Sequence, residues 1–147
     1  MALYRLAQTS TSTTSGNAAA DICNTSTGIR PRLMEYDLFI NAATASSFSL
    51  RRTTAIGTRT TPTALVPEDP SDNALTGITL VDQAVAFSAE PTEVTAKLAS
   101  IGLPATIGTG VIWTFPRGIT IANSLSIALI HDGTNANSHH HTVVADI

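Results

Sequence analysis

LMEYDLFINAATASSFSLRRT, residues 33–53, decides the fold class. From Leu33 to Asn41 the side chains alternate: Met34, Tyr36, Leu38 and Ile40 fall on one face, Glu35, Asp37 and Phe39 on the other. A strand repeats every two residues, so this segment predicts a half-buried strand with Phe39 as its exception. Ser46–Thr53 repeats the pattern, with Phe48 and Leu50 on one face and Ser47, Ser49 and Arg51 on the other. Asn41–Ala45 reads as the loop of a hairpin between them. Pairing the two apolar faces sets Ile40 opposite Phe48 and Leu38 opposite Leu50. Asp37 and Arg51 then become cross-strand neighbours on the outer surface, a pair of about 0.2–1 kcal/mol.

Working outward, the same signature recurs. Gly77–Phe87 carries Ile78, Leu80, Val81, Val85 and Phe87, and Gly110–Phe115 sets Val111, Trp113 and Phe115 on one face. Pro116-Arg117-Gly118 reads as a type I turn before a short strand at Ile119–Ile121. Ser124–His131 points Leu125, Ile127 and Leu129 inward, Asp132-Gly133 starts a turn, and His139–Ile147 returns as the last strand. Thr92–Leu103 fits both a helical face (Val94, Leu98, Ile101) and an irregular strand; its β neighbours favour the strand. Ala55–Asn73 reads as a long loop, because Pro62, Pro67 and Pro70 exclude a central strand. Short strands divided by turn signals predict an all-β, single-domain β-sandwich of jelly-roll type over residues 30–147.

In front of it, Leu3–Gln8 reads as a short strand with Tyr4 and Leu6 on one face. Thr9–Asn24 is rich in Ser and Thr and poor in bulky apolar side chains. Residues 1–29 therefore read as an extended N-terminal arm lying on a neighbouring subunit or larger surface, with a structureless tail as the alternative.

Composition bounds the function. Charged residues are 13%, hydrophobic ones 43% and the net charge −3, which gives neither a disordered chain nor a basic footprint for nucleic acid. Lys97 is the sole lysine and Cys23 the sole cysteine, so no intrachain disulfide and no cysteine zinc cluster can form. The start MALYRLAQTS lacks an apolar signal core, and no run nears the ~18 residues of a membrane helix. The expectation is a soluble chain made in a cytosol, where the sequon Asn24-Thr25-Ser26 has no use.

Few residues offer chemistry. His139 and His141, with His140 between them and His131 upstream, would share a strand face and could hold zinc or nickel. No local carboxylate or cysteine completes the set, and the plainer reading is a polar strand start at a surface loop. Cys23 has no basic neighbour in sequence to activate it and reads as a small apolar side chain. Glu35 and Asp37 share a face but compete with the Arg51 pairing. Glu68, Asp69 and Asp72 lack the rhythm of a calcium loop. Gly108-Thr109-Gly110 precedes a strand, not a helix, and so fails as a phosphate loop. Trp113 reads as core, and Tyr4 and Tyr36 are too sparse for a stacking surface. No catalytic, cofactor-binding or metal-binding residue is assigned.

The segments RPRLMEYDLF (30–39), FSLRRTTAIGT (48–58), GVIWTFPRGITI (110–121) and HTVVADI (141–147), in that order around a proline-rich loop, resemble small all-β virion proteins of tailed bacteriophages. The likeness covers about two thirds of the chain and leaves out the opening tract and His139-His140. It implies a capsid cement or decoration protein, often a homotrimer, on the outer capsid surface. Its partners would be the major capsid protein and further copies of itself. It implies no enzyme activity, no cofactor and no functional residue to carry over. Other virion parts (tail, connector, fibre base), a carbohydrate-binding module and a histidine–metal enzyme are the alternatives.

Overall fold

The computed structural model describes residues 2–11, 14–82, 87–134 and 138–147. The strands, in chain order, are β1 (Leu3–Ser10), β2 (Ala18–Asn24), β3 (Arg32–Ile40), β4 (Ser46–Ala55), β5 (Thr58–Arg59), β6 (Thr63–Ala64), β7 (Val66–Pro67), β8 (Ile78–Asp82), β9 (Phe87–Ala89), β10 (Thr92–Leu103), β11 (Gly110–Thr120), β12 (Leu125–His131) and β13 (His139–Asp146). No helix occurs among the described residues. The expected strand face at Val85 lies outside them.

Two sheets form a sandwich: a five-stranded sheet β11-β3-β13-β1-β7 and a six-stranded sheet β10-β4-β12-β2-β8-β6. The all-β sandwich expected from the sequence is thus observed. The long strands pair as a folded ribbon. β1 lies antiparallel to β13, β2 to β12, β3 to β11 and β4 to β10, and cross-pairs β13–β3 and β12–β4 complete the sheets. Consecutive strands of the first half alternate between layers.

That alternation overturns the hairpin at 33–53. β3 and β4 belong to different sheets, so Ile40 and Phe48 enter the shared core from opposite layers instead of standing side by side. Leu38 pairs with Val111 and His141, and Leu50 with Ala99 and Leu129. Asp37 and Arg51 lie on opposite outer faces, and Arg51 pairs with Glu93 and Asp132. Two strands that each bury one face satisfy the same alternation whether they pair edge to edge or stack sheet to sheet.

The expected arm is also corrected. β1 sits between β13 and β7, and β2 is an interior strand whose seven residues are all buried. Ala18, Ala19 and Ala20 lack bulk, but in a strand covered on both faces small side chains suffice where neighbours crowd in. Asn24 closes β2: its buried amide donates to the carbonyls of Ile29 and Ile121 at 2.9 and 3.1 Å, and its Oδ1 accepts from the Ser26 N–H at 2.9 Å.

Thr92–Leu103 is a strand, as favoured, along one edge of the six-stranded sheet. The expected turn at Pro116-Arg117-Gly118 is instead a bulge inside continuous β11. Pairing of β3 steps from Glu35 to Leu33 against both β11 and β13, which leaves Met34 over. Leu33 therefore takes the inward place expected for Met34. Gly118 is required there: its φ is +64°, and a Cβ would stand 2.6 Å from the Cβ of Arg32.

Ala55–Asn73 contains the short strands β5, β6 and β7. β5 pairs with β9, and Tyr4 tethers the far end of the segment by donating its hydroxyl to the Asn73 carbonyl at 3.0 Å.

Candidate functional site

Three of the four histidines are not at the surface. His131, His139 and His141 are 0%, 0% and 1% exposed, and their rings lie between the sheets. Strand alternation does put His139 and His141 on one side, 5.2 Å apart by ring centroids, but that side is the core. The rings extend a row: Trp113 to Tyr36 at 6.3 Å, Tyr36 to His141 at 6.1 Å, His139 to Phe48 at 5.3 Å and Phe48 to His131 at 5.0 Å. Burial, then the proximity of His139 and His140, pushes the pKa of His141 down to about 3. A neutral ring packed against aromatics fills volume as an aromatic does. Among the described residues, no group of three or more His, Cys, Asp or Glu side chains could hold a metal. His140 points outward and shares a 2.6 Å hydrogen bond with the Thr9 hydroxyl.

On the outer face of the six-stranded sheet, polar groups are gathered and covered. Asp21, fully buried, accepts from Arg59 Nη2 at 3.0 Å, and Arg59 Nη1 donates to Thr79 Oγ1 at 3.1 Å. Burial raises the Asp21 pKa against the pull of Arg59. The same cover raises Cys23 to about 11, which makes the thiol a poor nucleophile. Glu90 reaches from beyond β9 to accept the Ala18 N–H at 3.0 Å. Beside this, Arg51 spans Glu93 and Asp132 at 2.9 and 2.5 Å, and Lys97 reaches Asp132 at 2.7 Å. Burial pushes the Asp132 carboxyl up, but hydrogen bonds from Lys97 and Ser49 and the charge of Arg51 outweigh it and hold it below the usual range. These bonds tie β4, β10 and the β12 end together. Sequence reasoning missed the Asp21–Arg59 pair, because a partner 38 residues away in a proline-rich loop leaves no local pattern.

The outer face of the five-stranded sheet differs. Glu35 and Asp37 share it, as expected, near Arg5. Burial, then the neighbouring Glu35, raises the Asp37 pKa against the pull of Arg5. Arg5 makes its own ion pair with Glu68 at 2.9 Å, and both are substantially exposed. Asp69 turns back on Ser71. At the bulged end a shallow groove of about 430 Å³ runs past Leu3, Met34, Phe115 and Pro116, edged by Arg5 and Glu68. Leu3, Val66 and Ile112 are exposed large apolar side chains on or beside this sheet. The groove offers apolar contact and one ion pair, which suits binding to another surface.

Gly108-Thr109-Gly110 joins β10 to β11 and docks on the end of β3, where Ile40 donates its N–H to the Thr109 carbonyl at 2.9 Å. Trp113 packs against the core from an edge strand. No family model, curated protein or solved structure matches the chain.

Proposed function

We propose that this chain is a decoration, or cement, protein of a tailed-phage capsid, made in the host cytoplasm and bound to the major capsid protein on the outer virion surface. It acts by binding and not by catalysis. The observation that carries the reading is the ribbon pairing of β1–β4 with β13–β10. This order supports the jelly-roll form, an architecture that capsid proteins use widely. The four segments behind the resemblance fall on β3, β4, β11 and β13, the framework of that ribbon.

The open face of the five-stranded sheet is the surface we assign to the capsid. Several modest contacts of this kind, repeated over a shell, reinforce one another because the second is effectively intramolecular. A carbohydrate-binding reading has less support: among the described residues no aromatic is an exposed large apolar side chain, and Tyr36 and Trp113 are tilted by 52°.

The test is cosedimentation of the purified chain with heads of the phage that encodes it, followed by heating of decorated and bare heads. Saturable binding and a higher rupture temperature are expected. Binding to isolated tails alone would move the protein to the tail, and binding to neither would end the virion reading.

A further inference from the structure

Two long strands stand at the open side of the sandwich, and they are guarded differently. Among the described residues β10 pairs only with β4, and its register shifts three times between Thr92 and Ala99. Lys97 lies within that irregular stretch, 44% exposed. Irregular pairing and a lysine are devices that keep an edge from recruiting another strand. Among the described residues β11 pairs only with β3, and it lacks them along its first half. Gly110–Thr114 keeps an unbroken register against β3, carries no charge, and contains Val111, Ile112 and Trp113, all strong strand formers. The bulge, Pro116 and Arg117 come only afterwards.

Ile112, at the middle of that regular run, is 54% exposed, and Ile107 in the preceding connection is 64% exposed. We propose that the free edge of β11 at Gly110–Thr114 pairs with the same edge of a second copy, antiparallel, about a two-fold axis at Ile112. The two five-stranded sheets then continue as one.

The occupant follows from self-complementarity. With Ile112 on the axis, each Ile112 covers its mate on the outer face. On the core side Val111 stands beside Trp113, small against large, and on the outer face Gly110 stands beside Thr114. The chain carries a net charge of −3, so copies repel in general, but this strip adds nothing to that repulsion. The bulge after Thr114 bends each strand away and limits the pairing to the regular run. A contact of this kind uses one patch on both copies and closes at two. It replaces the homotrimer implied by the resemblance and does not depend on the capsid reading.

Sedimentation of the full chain across a wide concentration range, with hydrogen exchange of the β11 amides, tests it. The expected result is a dimer in which the amides of Gly110–Thr114 that point away from β3 exchange slowly. Ile112→Lys, at an exposed site that folding does not need, should give a monomer with those amides fast and a thermal melt equal to that of the wild-type chain at concentrations where that chain is also monomeric. Ile112→Thr should keep the dimer with weakened affinity. A monomer at all concentrations, a trimer, or a dimer indifferent to Ile112→Lys would overturn the proposal. Loss of head binding on Ile112→Lys in a chain that is monomeric throughout would give the edge to a capsid strand instead.

Discussion

The two sheets share a core but treat their outer faces in opposite ways. In the six-stranded sheet, β2 is buried along its whole length and β12 at all but Leu125, because β5, β9 and the ion pairs of Arg59 and Arg51 roof the outside. In the five-stranded sheet, β1 alternates between buried and exposed side chains and leaves Leu3 and Arg5 on the surface. One layer is sealed by its own chain and the other is open. Both sheets hold up the shared core, but side chains on the outer face of the open sheet can change with less cost to the fold than those under the roof of the sealed one.

The most severe way to break that comparison is to remove residues 1–24. This deletes β1 and β2, one strand from each layer and neither at a sheet edge, and the expected outcome is loss of cooperative folding in thermal melts. A well-folded truncated protein would restore the arm and refute the sealed layer.

A narrower probe is Arg59→Met. It strands a buried Asp21, and loss of one member of a buried pair costs about 3–5 kcal/mol. Urea unfolding should show this, and combining Arg59→Met with Asp21→Leu should recover most of the loss. Equal damage from the double variant would mean that the roof is held by something other than the pair.

Acid probes the core that both layers share. The folded pKa of His141 lies near 3, below the ordinary value of 6.5, so between those pH values the unfolded chain binds a proton that the folded chain refuses. The stability is complete above about pH 6.5 and falls with decreasing pH by about 1.4 kcal/mol per unit, or about 2 kcal/mol by pH 5. His141→Phe should flatten that slope in urea titrations at stepped pH; an unchanged slope would clear His141 of the effect.

The smallest effect on the fold is expected on the open face. Leu3→Glu should change stability by no more than about 0.5 kcal/mol, as surface substitutions do, while weakening cosedimentation with heads. A large loss of stability would show that this face is as integral as the other.

Much of this was legible in the residues. Alternation at Tyr36–Ile40, Phe48–Leu50 and Ile127–Leu129 located strands and named their inward side chains, since burying one face of a pleated strand imposes a period of two. The gathering of Glu35 and Asp37 on one outer face followed from the same rule. The exception at Leu33–Met34 was not legible, because the extra residue of a bulge is defined by its partner strands. The histidines deceived for a related reason. Alternation set His139 and His141 together, but only what covers that face, Phe48 of the opposite layer, decides between a surface pair and core rings.

The sequence by itself determined that the chain is built of strands, that no intrachain disulfide staples it, and, away from the bulge at Met34, which side chains share a face. These follow from local sterics and from the period of the backbone. The tertiary structure alone decided which strands pair, that the opening tract supplies an interior strand, and that Asp21 meets Arg59. Each of those depends on a partner distant along the chain, and alternation is blind to whether an apolar face is covered by the next strand of its own sheet or by the opposite layer.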